Sequence, residues 1–167
     1  LESTGAAAAN PKPFYNVSRA LAALGRYGQK TGSGFYKYEA GDRRPHLDPQ
    51  VDEIIKQEAA KLGIEARKIS DEEIQQRCVY ALINEGAKLL DENIVYRAAD
   101  IDIIWHYGYG FPRYKGGPMF YADLIGVKDI YETICQFHDQ FGHYWTPAPL
   151  LEKLAQDGTG FLEWTPE

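Results

Sequence analysis

The sequence predicts an all-α fold of five to seven helices. Three observations carry that prediction. Apolar residues recur at helical spacing in successive segments of the 167 residues. Capping residues or prolines stand where those segments begin, and glycines where they end. Strand-like composition is confined to one short stretch, Phe35–Tyr38.

Residues 1–13, LESTGAAAANPKP, are small and polar and read as a flexible tail. A short helix follows, with Val17, Leu21 and Leu24 on one side and Gly25 as its stop. Residues 25–49 are rich in glycine and proline and read as loop. Asp48 and Pro49 then cap and open a helix whose apolar positions are Val51, Ile54, Ile55, Ala59 and Leu62; Gly63 ends it.

Ser70-Asp-Glu-Glu73 has the form of a capping box and opens a longer helix reaching about Glu92. Its expected buried stripe is Ile74, Cys78, Ala81, Leu82 and Leu89, interrupted by Glu85 and Gly86. Glycine inside a helix costs about 1 kcal/mol against alanine, so close approach of a neighbouring helix is expected there. Glu85 reads either as a buried carboxylate with a raised pKa or, more commonly, as a core residue capping a neighbouring helix.

A helix starting at Ala98 should end near Gly108, one should run from Pro118 to about Gly126, and one from Val127 to Phe141 with Ile130, Ile134, Phe137 and Phe141 aligned. Leu150–Gln156 is the last, stopped by Gly158. An internal echo links the two ends. Leu21-x2-Leu24 leads to Gly32-Ser-Gly-Phe35, and Leu151-x2-Leu154 leads to Gly158-Thr-Gly-Phe161. By itself this reads as coincidence between two helix stops or as a repeat.

Composition excludes several functions. Apolar residues are 44% and charged residues 25%, as in globular proteins. The net charge of −6 argues against a broad nucleic-acid surface. No apolar run is long enough for a membrane span, and no leader pattern is seen. The single methionine is Met119, so Leu1 is expected not to be a natural start. Two cysteines, Cys78 and Cys135, suit a reducing compartment.

Chemical motifs mostly fail. Gly28-Gln-Lys-Thr-Gly-Ser-Gly34 lacks the glycine before lysine of a phosphate loop, and Lys37 stands where a dinucleotide fingerprint needs its third glycine. His138 and His143 are five apart and diverge on a helix, so zinc is not expected. Ser70 serves as a cap; Ser18 and Ser33 lie in no nucleophile elbow; His106 suits a helix C-terminus. Phe111-Pro-Arg-Tyr-Lys-Gly-Gly-Pro118 places Arg113 and Lys115 before a helix start. It reads as a solvated loop or as a contact for an anionic ligand.

Residues 25–38, 69–126 and the closing Gly-Thr-Gly-Phe turn together resemble the C-terminal region of 3-hydroxyacyl-CoA dehydrogenases. The similarity is greatest to the multifunctional hydratase/dehydrogenases of fatty acid β-oxidation, and it covers about 14–161. The specific signals are Arg77-x3-Ala-Leu-Ile-Asn-Glu85 and Gly108-Tyr-Gly-Phe-Pro…Gly-Gly-Pro118. The resemblance implies an all-α domain of the 6-phosphogluconate dehydrogenase C-terminal-like type. It divides the chain into a tail (1–13), the end of a first helical repeat with its loop (14–48) and a second repeat (49–167).

The resemblance also implies an enzyme that oxidises (S)-3-hydroxyacyl-CoA with NAD. The NAD fingerprint and the catalytic His–Glu pair of that family lie before the region present here. No NAD and no metal are expected on this chain itself. Gln76 stands where the family has its substrate-holding asparagine, and Asn84 belongs to a different pair. No catalytic residue is therefore assigned; Arg113, Lys115 and Glu85 remain candidates for ligand or domain contact. The expected partners are acyl-CoA through the parent enzyme, a preceding Rossmann domain and a second copy of the fragment, which should expose apolar surface. The expected compartment is the cytoplasm of a bacterium, or the peroxisome of a eukaryote, with the cytoplasm preferred. The alternative is a free-standing helical module for acyl-CoA binding or dimerisation.

Overall fold

Seven α-helices form where spacing and caps place them, in a computed structural model that describes residues 15–166. The tail expected over 1–13 lies outside those residues. The described chain divides into two compact units, one running through Lys68 and the other beginning at Ile69.

The first unit holds α1 (Asn16–Ala23) and α2 (Pro49–Lys61). Leu21 of α1 packs with Val51 and Ile54 of α2, flanked by Val17 and Ala20. The Asp48 carboxylate accepts the Gln50 amide at 3.1 Å, so the cap forms as its sequence suggests. Between the helices no strand forms. Phe35–Tyr38, expected as a short strand, contributes only isolated bridges, Ser33 with Lys37 and Lys37 with His46. The glycines on either side bend the chain too often for a ladder to extend.

The second unit is built around α3 (Asp71–Asp91), which packs against α4 (Ala98–Gly108), α5 (Pro118–Ile125) and α7 (Pro149–Asp157). Between α5 and α7 in the chain comes α6 (Val127–Phe141), which contacts both. Ser70 Oγ accepts the Glu73 amide at 3.1 Å and starts α3. The core joins Ile83, Ala87 and Leu90 of α3 to Met119, Ile130, Ile134, Leu151, Leu154 and Phe161. Burying each of the Ile, Leu, Met and Phe side chains among these contributes roughly 1.5–3 kcal/mol.

Gly86 sits where α3 meets α5: a Cβ there would lie 2.6 Å from the Met119 sulfur. The close approach expected from a mid-helix glycine is present. The buried stripe of α3, however, is not the one expected. Tyr80, Ile83, Asn84, Gly86, Ala87 and Leu90 face the core, whereas of the expected stripe Ile74, Cys78 and Ala81 are exposed and Leu82 and Leu89 half-buried. Cys78 is a solvent-facing thiol, not the buried one its apolar neighbours suggested.

Candidate functional site

The loop between α4 and α5 carries two of the three candidate contact residues, Arg113 and Lys115, and its geometry follows from one carboxylate. Asp102 projects from α4 and is buried. Its Oδ1 accepts the Met119 amide at 2.8 Å, and its Oδ2 accepts the Phe120 amide at 3.1 Å. These amides lie in the first turn of α5, where a helix presents unpaired N–H groups and partial positive charge. The helix start suggested for an external anion therefore already carries the chain's own. Gly117 is required at the approach, because a side chain there would run into Asp102. Burial pushes the Asp102 pKa up; the two amides pull it down, and the net shift is upward.

A second carboxylate repeats the arrangement. Asp123 of α5 accepts the Phe161 amide at 2.7 Å and the Leu162 amide at 2.9 Å. A Cβ on Gly160 would lie 2.7 Å from that carboxyl carbon, so the glycine of the turn lets the carboxylate reach the backbone. Neither aspartate was singled out in the sequence. Isolated acidic residues in helices read as solvated, and their amide partners lie far along the chain.

Arg113 and Lys115 share a single 3₁₀ turn, Arg113–Lys115. Arg113 is exposed, its guanidinium 5.8 Å from the Tyr107 ring centre. Lys115 Nζ donates to the Tyr121 hydroxyl at 3.1 Å and lies 4.4 Å from that ring's centre. Tyr107, Tyr109 and Tyr114 are exposed beside them, as are Ile103 and Ile104. The loop thus shows solvent an aromatic and cationic face.

Glu85 does not join that face. It is exposed and pairs with Lys88 at 3.4 Å, a surface contact of little energetic weight. Neither expectation for it, burial or capping of a neighbouring helix, is met. The capping role belongs to the residue before it. Asn84 is buried; its Nδ2 donates to the Thr146 carbonyl at 2.9 Å, and its Oδ1 accepts the Ala148 amide at 2.8 Å, fixing the entry to α7.

Gln76 is half-buried and shares a hydrogen bond with the Tyr80 hydroxyl. Burial is the main reason that the Tyr80 pKa is raised. Arg77 beside it pairs with Glu73 at 2.6 Å and lies 3.9 Å from the Phe141 ring centre.

In the first unit, Arg26 organises the glycine loop. Its Nε and Nη2 donate to the Gly34 carbonyl at 3.1 and 2.9 Å, its Nη2 to Asp48 at 2.5 Å and its Nη1 to Gln50 at 3.0 Å. Burial alone would raise the Asp48 pKa. Hydrogen bonds from Arg26, the Gln50 amide and Lys37 outweigh it and hold the carboxyl below its ordinary value. The loop forms one 3₁₀ turn, Gln29–Thr31, and antiparallel bridges, not the strand–turn–helix that cradles a dinucleotide phosphate. The glycine loop therefore does not fit a dinucleotide phosphate. Among the described residues, no three His, Cys, Asp or Glu side chains cluster as a metal site would require.

Residues 74–160, nearly all of the second unit, match the family model for the 3-hydroxyacyl-CoA dehydrogenase C-terminal domain. The chain belongs to this family. The dehydrogenase family implies NAD for a complete enzyme. Similar proteins include the zebrafish (Danio rerio) peroxisomal bifunctional enzyme, 42% identical over 81% of this chain and 19% of that protein. The human peroxisomal bifunctional enzyme is 38% identical, over 98% of this chain and 23% of its own length. A fatty acid oxidation complex subunit alpha from Shewanella loihica is 34% identical over 86% of this chain and 19% of its own. The dehydrogenase part of multifunctional enzyme 1 from C. elegans superposes with a TM-score of 0.65 at 25% identity, over 91% of this chain and 34% of that one. The chain thus spans about a fifth of the length of the curated relatives it matches. Within this C-terminal domain Asn84 holds the α7 entry and Glu85 faces solvent.

Proposed function

We propose that this chain is the helical C-terminal part of an NAD-dependent (S)-3-hydroxyacyl-CoA dehydrogenase of fatty acid β-oxidation, and that it is inactive alone. The observation that carries the reading is the family match over the second unit. The length of the relatives leaves room for a catalytic and NAD-binding region outside these residues. Residues 14–48 are read as the end of a first repeat and 49–167 as the second, whose role is packing. Gln76 in place of the substrate-holding asparagine accords with a repeat that has lost its part in catalysis. In the complete protein, the aromatic and cationic face at Tyr107, Arg113 and Tyr114 contacts the Rossmann domain or the CoA portion of the substrate. Peroxisomal enzymes and bacterial subunits both occur among the relatives. The compartment is accordingly the peroxisome in a eukaryote and the cytoplasm in a bacterium.

The test is an assay with acetoacetyl-CoA and NADH. Protein from the intact reading frame should consume NADH, while the 167-residue chain should not. Sustained turnover by the short chain would refute its inactivity, and an inert intact protein would refute the dehydrogenase reading.

A further inference from the structure

Three elements of the second unit converge on one hydroxyl. Lys115 Nζ, from the 3₁₀ turn before α5, donates to the Tyr121 hydroxyl at 3.1 Å. Gln75 Nε2, from the start of α3, donates to the same oxygen at 3.4 Å. Both contacts use that oxygen as acceptor. The Tyr121 O–H proton is left to donate, and among the described residues no acceptor takes it. Lys115 is half-buried, with its Nζ 4.4 Å from the Tyr121 ring centre. Other cations of the unit are neutralised: Arg77 pairs with Glu73, Lys88 with Glu85 and Arg97 with Asp100. Among the described residues, neither Lys115 nor Arg113 has a carboxylate at ion-pair distance; each has an aromatic ring instead. Glu72 and Asp129 act at longer range on Tyr80, without pairing with Lys115. In a chain of net charge −6, two such cations in one turn stand out. A half-buried ammonium held by a ring and a neutral hydroxyl has given up water for weak partners.

We infer that Lys115, Tyr121 and Gln75 hold the terminal phosphate of a phosphorylated adenine nucleotide, with Arg113 as a second cation, and that this nucleotide is the 3′-phosphorylated end of a CoA thioester. The cluster offers ammonium N–H, phenol O–H and amide N–H donors around one point. A phosphate monoester matches them, because it carries about −1.5 to −2 charge and three strong acceptor oxygens. Bonds from a cation to such oxygens are the strong, charge-assisted kind. Tyr114 stands between the two cations in the same turn and is 86% exposed, so its ring is a platform on which a purine can stack. Gln76 is bonded to the Tyr80 hydroxyl, and its neighbour Gln75 is the residue that reaches the cluster. The subsite is set entirely by α3, the 3₁₀ turn and α5, all within the unit that begins at Ile69. The inference rests on the acyl-CoA part of the proposed function, and not on any catalytic role for this chain.

Isothermal titration of the 167-residue chain with CoA, dephospho-CoA and NADH tests it, with circular dichroism to show that each sample is helical. CoA should bind. Dephospho-CoA, which lacks only the 3′-phosphate, should bind about tenfold more weakly or not at all. NADH, whose phosphates are bridging diesters, should do no better than dephospho-CoA. Lys115→Gln should erase the preference for CoA, and Lys115→Arg should keep most of it. Tyr121→Phe, which removes one donor, should weaken CoA about fivefold. Lys128→Gln, at an exposed position on α6, should change nothing. The preference should also shrink as salt rises. Absence of CoA binding by the helical chain overturns the inference. So does equal affinity for CoA and dephospho-CoA, NADH binding as tight as CoA, or a preference that survives Lys115→Gln. A phosphate preference in the short chain beside an intact protein that consumes no NADH would refute only the dehydrogenase reading. An active intact protein whose short chain ignores the 3′-phosphate would refute only this inference.

Discussion

The Asn84 side chain grips the backbone sixty-four residues ahead, accepting the Ala148 amide at 2.8 Å and donating to the Thr146 carbonyl at 2.9 Å. One side-chain amide thereby sets the angle at which α7 enters the core. Removing it leaves the buried Ala148 N–H without its partner and releases the Thr146 carbonyl. Asn84→Ala should cost about 1–3 kcal/mol, and Glu85→Ala, one residue on and exposed, no more than about 0.5 kcal/mol. Urea unfolding followed by tryptophan fluorescence reads this unit selectively, because Trp105, Trp145 and Trp164 all lie in it. Equal losses for the two variants would show that Asn84 does not hold α7.

Gly86 and Met119 should be energetically coupled. Alanine is the better helix former by about 1 kcal/mol, yet a Cβ at 86 would press on the Met119 sulfur. Gly86→Ala should therefore be destabilising by about 1–3 kcal/mol through overpacking. Met119→Ala alone leaves a cavity. The double variant should lose less than the sum of the single losses, since each change relieves the other's defect. Additive losses in chemical denaturation would mean that the two helices do not meet at this pair.

The two buried aspartates should respond to acid in opposite ways. Asp48 has a folded pKa below its ordinary value, so its contribution is complete above about pH 4 and is lost as pH falls through the folded value. Asp102 has a raised folded pKa, so its contribution is fullest below about pH 4 and is lost as pH rises through the folded value. Acid should therefore loosen the α2 cap in the first unit, seen as collapse of the Gln50 and Gly34 amide shifts, with no matching loss from Asp102. Asp48→Asn should flatten that response. Amide shifts of Gln50 that stay unchanged to pH 2.5 would count against the Arg26–Asp48 grip.

Helix positions were legible because caps and stops are local: Ser70, Asp48, Pro118 and Gly158 each act within a few residues of where they stand. The core face of α3 was not legible. The helix carries apolar residues on two sides, Ile74 and Cys78 on one and Ile83 and Leu90 on the other. The buried side also holds an asparagine and a glycine, which hydropathy alone scores against. Asp102, Asp123 and Arg26 were missed because their partners lie 17, 38 and 22 positions away, or thereabouts, on other elements. Spacing rules describe one helix at a time and cannot show a carboxylate meeting the backbone of another. The Gly-x-Gly-Phe echo was visible as text, but not that its two phenylalanines differ, Phe35 being exposed and Phe161 buried.

Phe161 fills the middle of the second core although it comes near the end of that unit's sequence. During synthesis, α3 to α7 leave the ribosome before the side chain that closes them. Until Phe161 and Leu162 emerge, Asp123 has no backbone to grip and the core has a gap the size of a phenyl ring. A nascent chain must therefore wait with an open hydrophobic site. A proteolytic cut just before Phe161 would leave that site exposed for good.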